Sequence, residues 1–177
     1  MADVLDLLIS YGGLSGEWAG KWHSKGHKIW SYANPQAGPE EPETYRRNYG
    51  LLLWKNGYDG ACTYAYQDSF GGNIWNDFNR PIFRAPVFAY PTADGIIDTI
   101  EWEGYREGVN DVKYLTTLLV KAGLARMGSF KKAGGKGPVT DIRKFLGGMD
   151  VQNENLYSVR AKMIDYIIGL PQRPSAR

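Results

Sequence analysis

The sequence predicts an α/β fold built on parallel strands, and three observations carry that prediction. Short runs of β-forming residues alternate with stretches whose apolar side chains recur at helical spacing. Gly, Pro, Asn and Asp stand at the joints between them, where turns are needed. The resulting order of strand, helix, strand, helix, strand, loop and helix is the βαβ pattern of a parallel sheet. With 177 residues, 43% hydrophobic and 23% charged, the chain can bury one sizeable core, and wholesale disorder is excluded.

The elements follow in order. Asp3 to Ser10 is an apolar run ending in Tyr11-Gly12-Gly13 and reads as a buried strand. Leu14 to Ser24 carries Trp18 and Trp22 four apart, a helical spacing, and Gly26 can stop that helix. Lys28 to Ala33 is the second strand, with Trp30 and Tyr32 on one face. Glu43 to Asn56 reads as one helix, and Gly60 to Gln67 as a third strand with Tyr64 and Tyr66 on a shared face. Asp68 to Pro86 is a long loop, of the kind that is often functional. Val87 to Tyr90 is a short strand before the turn Pro91 to Gly95. Ile100 to Ala122 is a long amphipathic helix that Asp98 or Thr99 can cap. Shorter helices are expected over Thr140 to Leu146 and Asn153 to Ile168.

Composition narrows the function classes. No apolar run approaches the ~20 residues of a membrane helix, and no secretory signal is visible at Met1-Ala2-Asp3. The compartment stays open. Cys62 is the single cysteine, so an intramolecular disulfide is excluded, and its strand context suits an inert core thiol. From Ala125 to Arg177 there are ten Lys and Arg against four Asp and Glu, while the residues before carry eleven against fifteen. The basic charges are scattered and lack interleaved aromatics, so a solvated surface is favoured over nucleic-acid binding. Gly12 to Gly16 lacks the spacing of a phosphate-binding loop, and no cofactor is expected. His23 and His27 lie four apart with Gly26 between them and no third ligand close by, so no metal site is expected. Six Trp and twelve Tyr are the unusual counts. Such rings suit a site that stacks on sugars, and equally a bulky core.

Several phrases occur together in a recognisable order. They are Tyr45-Arg46-Arg47-Asn48-Tyr49-Gly50-Leu51-Leu52-Leu53-Trp54-Lys55, then Gly57-Tyr58-Asp59-Gly60 leading into Thr63-Tyr64-Ala65-Tyr66. Ala89-Tyr90-Pro91 and Ile100-Glu101-Trp102-Glu103-Gly104-Tyr105-Arg106-Glu107-Gly108-Val109-Asn110-Asp111 follow. Over roughly the first two-thirds of the chain this resembles the C-terminal part of the catalytic domain of glycoside hydrolase family 123. The resemblance implies the closing portion of a TIM (β/α)₈ barrel, about its last three β/α units, over residues 1–124. Residues 125–177 would form a basic loop and a C-terminal helical extension.

In such barrels the ligand site lies at the C-terminal ends of the strands. That rule points to Tyr11, Tyr32, Asn34, Tyr64, Tyr66, Gln67 and Asp68, and on the following loop to Trp75, Asn76 and Asp77. Aromatic rings stack on the C–H faces of a sugar, and the polar side chains bond its hydroxyls. Members of the family are similar to retaining hexosaminidases, in which an adjacent Asp-Glu pair on a middle barrel strand orients the substrate acetamido group and supplies the acid/base. This sequence contains no Asp-Glu pair, and the strands that should carry one would precede Met1. The catalytic residues are therefore unknown, with Asp68 the only local candidate.

The plainer explanations stand beside these. A strand-end Asp is most often a loop or cap residue. Glu103, Arg106 and Glu107 fit an intrahelical ion-pair network, with Arg106 packing back on a strand end as a further possibility. Trp18, Trp22 and Trp54 fit core packing. The expected function is a carbohydrate-active segment whose parent hydrolyses a glycosidic bond, with an N-acetylhexosamine as the implied sugar. The alternative is a non-catalytic carbohydrate-binding or scaffold module. In either case the open edges of three strands call for an upstream segment, a second chain or self-association.

Overall fold

The computed structural model describes residues 4–32, 40–76, 78, 85–124 and 137–171. Backbone contacts divide the chain into two compact units, Met1–Val109 and Asn110–Arg177. The fold is mixed α/β with a small parallel sheet.

The first unit begins with β1 (Leu7–Tyr11), α1 (Gly16–His23) and β2 (Lys28–Tyr32). Ser15 caps α1 by accepting from the Trp18 amide at 3.3 Å, satisfying one of the free amides of the first turn. Gly26, at φ 78°, supplies the left-handed residue that ends the helix and returns the chain to β2. β1 and β2 pair in parallel from Leu7 against Lys28 to Tyr11 against Tyr32. β3 (Gly60–Ala61) joins the other edge of β2, giving the order β1-β2-β3.

One face of this sheet is packed. Leu8, Ile29 and Ala61 lie against Ala19 and Trp22 of α1 and against Leu14, Leu53 and Tyr58. Alternation sends Leu7, Ile9 and Tyr11 of β1, and Trp30 and Tyr32 of β2, to the opposite face. There Leu7, Ile9, Tyr11 and Trp30 are exposed. The Trp30 indole lies across β3, because a Cβ at Gly60 would meet its ring atoms at 2.8 Å.

Where one helix is expected over Glu43 to Asn56, the structure has two, α2 (Pro42–Asn48) and α3 (Leu51–Lys55). The break falls at Gly50, whose missing side chain admits another backbone. A Cβ there would meet Cα and O of Gly108 at 2.9 Å. Gly108 in turn leaves 2.7 Å to the Arg46 carbonyl, and a Cβ at Gly104 would collide with the Pro42 backbone. Two glycines four apart thus let α2 pack backbone to backbone on α4 (Ile100–Ala122).

The third strand is also shorter than expected and stops at Ala61. The Cys62 amide makes the last bond to Ser31 at 2.9 Å, near the end of β2, and Gln67 turns to an antiparallel bridge with Val87. β4 (Ala89–Pro91) and β5 (Ile96–Asp98) form an antiparallel hairpin around the expected turn, with β5 an added element. Thr99, rather than Asp98, begins α4. Its hydroxyl accepts from Trp102 N at 3.3 Å and donates to Phe88 O at 2.7 Å.

Much of the aromatic surplus is core. Tyr45, Tyr49 and Phe88 are buried together, with Trp102 and Tyr105 packed against them. Tyr49 and Tyr105 lie 5.0 Å apart between centroids, and Trp102 stacks on Tyr105 at 6.0 Å. Burial pushes the Tyr49 hydroxyl up to about 12, against an opposing effect of Thr63. Trp22 is buried as expected, but Trp18 is exposed beneath Lys21, 5.2 Å from its ring centroid. Arg106 is likewise exposed and pairs with Glu103 instead of packing on a strand end.

The second unit contains the rest of α4 with α5 (Pro138–Gly148) and α6 (Leu156–Gly169). Asn155 caps α6 by accepting from Tyr157 N at 3.0 Å and Ser158 N at 3.1 Å. Leu156, Val159 and Met163 form its buried stripe. α4 is tied to α6 by Arg160 on the fully buried Asp111 at 2.6 Å and by Lys121 on Ile167 O at 2.6 Å. Among the described residues no helix is long and apolar enough to cross a membrane.

Candidate functional site

At and just beyond the C-terminal ends of the parallel strands lie four aromatic residues outside the core, Tyr11, Tyr32, Tyr64 and Phe70. Parallel register sets Tyr11 beside Tyr32, with ring centroids 6.1 Å apart. Just beyond β3, Tyr64 is exposed and its hydroxyl donates to Oδ2 of Asp68. Oδ1 of Asp68 accepts from Phe70 N at 2.6 Å, an Asx-type bond that holds Phe70 at φ 51°, a conformation bulky residues rarely adopt. The Phe70 ring sits 6.3 Å from that of Tyr64.

The electrostatics follow from this geometry. By accepting the hydrogen bond of the Tyr64 hydroxyl, Asp68 holds that group above the ordinary phenol range, and burial adds to the effect. Two groups thus stand at and beyond the strand ends: Tyr11 beside Tyr32, and Tyr64 bonded to Asp68 with Phe70 beside it. Asp68 is engaged at both oxygens, an arrangement that positions Tyr64 and shapes the turn after it.

The other expected residues are used differently. Gln67 donates through Nε2 to Ala89 O at 2.7 Å, so its amide ties the loop to β4. Tyr66 is exposed and meets Trp102 edge-on at 6.4 Å. Trp75 is exposed and stacks on Tyr90 at 5.3 Å and 16°. Asn76 is exposed, with its amide on Asn73 O at 2.9 Å. Asn34 and Asp77 lie outside the described residues. Phe70 and Tyr90 were not anticipated. Both are exposed or half-buried rings next to expected ones, and Tyr90 belongs to the quoted phrase Ala89-Tyr90-Pro91.

Neither His23 nor His27 converges on a shared partner. His23 Nε2 contacts Asp59 at 2.9 Å, and His27 Nδ1 contacts Asp6 at 3.5 Å. Among the described residues no three His, Cys, Asp or Glu side chains are grouped to hold a metal ion. Burial pushes the Cys62 thiol up, away from the thiolate a nucleophile needs, and its Sγ faces Ser31 O at 3.8 Å. A cavity of about 490 Å³ in the second unit is lined by Lys144, Phe145, Met149, Lys162 and Tyr166, among others, and by none of the expected site residues. Compared with protein-family models and with curated proteins, the chain matches none.

Proposed function

We propose that this chain is a carbohydrate-active, glycoside-hydrolase-like segment that supplies the aromatic and polar wall of a sugar-binding site. The observation that carries this reading is the bonded pair Tyr64 and Asp68 just beyond β3, with Tyr11 and Tyr32 side by side at the ends of β1 and β2. Exposed tyrosine faces beside a fixed carboxylate offer the two contacts a pyranose needs, an apolar platform and an acceptor for its hydroxyls. In the finer form of the proposal the sheet is the closing part of a (β/α)₈ barrel similar to glycoside hydrolase family 123. The acid/base pair then comes from outside this chain, since the sequence has no Asp-Glu pair. An N-acetylhexosaminide is the implied substrate of the parent reaction.

The exposed apolar face of the sheet also supports a second reading, a non-catalytic carbohydrate-binding module that assembles with another chain. A panel of glycans and chromogenic glycosides separates the two. Binding without hydrolysis is expected of this chain in both. Hydrolysis appearing when barrel strands bearing an Asp-Glu pair are supplied supports the first. Hydrolysis by this chain alone, abolished in Asp68→Asn, would overturn the assignment of the catalytic pair to another segment. No glycan binding in any form would end the sugar reading.

A further inference from the structure

Parallel sheets are covered on both faces almost without exception, because their strands carry apolar side chains on both sides. This one is covered on one. On the other, Leu7 is 38%, Ile9 52%, Tyr11 70% and Trp30 36% exposed. On the same face the Trp30 indole lies over Gly60, where a side chain would meet its ring. We propose that a second copy of this chain covers this face, the two sheets packing against each other about a two-fold axis.

Two properties of the face select a second copy. The first is area. At 150–250 Å² for an aromatic side chain and somewhat less for Leu or Ile, those exposures leave roughly 400 Å² of apolar surface in water. A stable interface buries about 800 Å² per partner, of which somewhat over half, roughly 450 Å², is apolar. The open face therefore supplies nearly the whole apolar share of one standard interface, and a second copy supplies the other half.

The second is charge. Among Leu7, Ile9, Tyr11, Lys28, Trp30 and Tyr32 there is one charged residue, Lys28, at the start of β2. A partner chosen by charge complementarity would need a pattern this face lacks. In a two-fold packing with the strands antiparallel, the two Lys28 side chains lie at opposite ends and do not oppose each other. Leu7, Ile9 and Trp30 then form the self-complementary centre that an isologous contact requires. Sheets so packed sit about 10 Å apart. Tyr11 and Tyr32 lie on this face and are covered with it, whereas Tyr64 and Asp68 lie beyond the strand ends. The proposal rests on the geometry of the sheet and competes with the sugar reading for Tyr32, and in the barrel form of that reading the same face is the interior.

The test is sedimentation equilibrium of the full chain from low to high micromolar concentration, with Ile9→Asp and Leu7→Lys as variants. Both positions are exposed, so far-UV circular dichroism is expected to match the wild type. The expected result is a species of twice 19.8 kDa for the wild type. Either variant should raise the dimer Kd by roughly tenfold or more. A wild-type monomer across the range overturns the proposal, and so does a dimer indifferent to both substitutions. A variant that loses its helical signal is replaced by Ile9→Thr, which keeps β-branching and removes apolar area, with the same two outcomes. Glycan binding is measured separately on each species, so failure of the dimer and failure of the sugar reading are told apart.

Discussion

The hydroxyl of Tyr64 donates a hydrogen bond to the carboxylate of Asp68 in the segment that follows β3. The bond does two things at once. It orients an exposed aromatic ring, and it keeps the Tyr64 proton in place against rising pH.

Replacing Asp68 by Asn removes the negative charge and the strongest acceptor. The Tyr64 hydroxyl is then expected to titrate at lower pH than in the wild type, toward the ordinary phenol value. Tyrosine ring NMR across the alkaline range measures this, with Tyr64→Phe identifying the resonance. An unmoved titration would show that Asp68 does not hold the proton.

The glycine contacts between α2 and α4 give a prediction of sign. Gly108→Ala pushes a methyl group into the Arg46 backbone and should cost about 1–3 kcal/mol or more. Gly20→Ala in α1, where nothing lies within 4 Å of the new methyl, should stabilise by about 0.5–1 kcal/mol. Urea unfolding of the two variants is expected to move in opposite directions.

Asp59 links two elements of the first unit, accepting from Ile29 N and contacting His23, both at 2.9 Å. Partial burial works against its ionisation, but His23, the Ile29 amide and Lys28 outweigh this and hold the carboxyl below its usual range. A depressed carboxyl stabilises the fold above its unfolded pKa, about 4, and that contribution is lost as pH falls through the lower folded value. Acid titration of stability should therefore show a steeper loss below about pH 4 in the wild type than in Asp59→Asn.

In the second unit, Arg160 neutralises Asp111, which is wholly buried. Arg160→Leu withdraws the cation from a carboxylate that water cannot reach and should cost about 3 kcal/mol or more. The double variant Arg160→Leu, Asp111→Leu should recover much of that loss. Chemical unfolding through a double-mutant cycle reads both.

The local elements were largely legible in the sequence. α4 runs from Ile100 to Ala122 as its apolar stripe indicates, and β2 begins at Lys28 as expected. What depended on distant residues was not legible. The break at Gly50 exists because Gly108 approaches it, and no window containing Gly50 also contains Gly108. β3 reads as a strand to Gln67 because its residues favour one, but its ladder with β2 stops at Ser31 and Ala61, and Gln67 bridges Val87 instead. For the same reason Tyr64 and Tyr66 do not share a strand face. Tyr64 pairs with Asp68, while Tyr66 turns to Trp102. Gln67 and Trp75 find their partners, Ala89 O and Tyr90, beyond the long loop, outside any local window.

The central claim is that Tyr32, Tyr64 and Asp68 form a sugar-binding wall. Isothermal titration calorimetry of the chain with an N-acetylhexosamine oligosaccharide tests it most directly, alongside Tyr32→Ala and Tyr64→Ala. Measurable binding by the wild type, weakened roughly tenfold by either substitution, is the expected result. Wild-type binding left unchanged by both substitutions, or no binding at all, would contradict it.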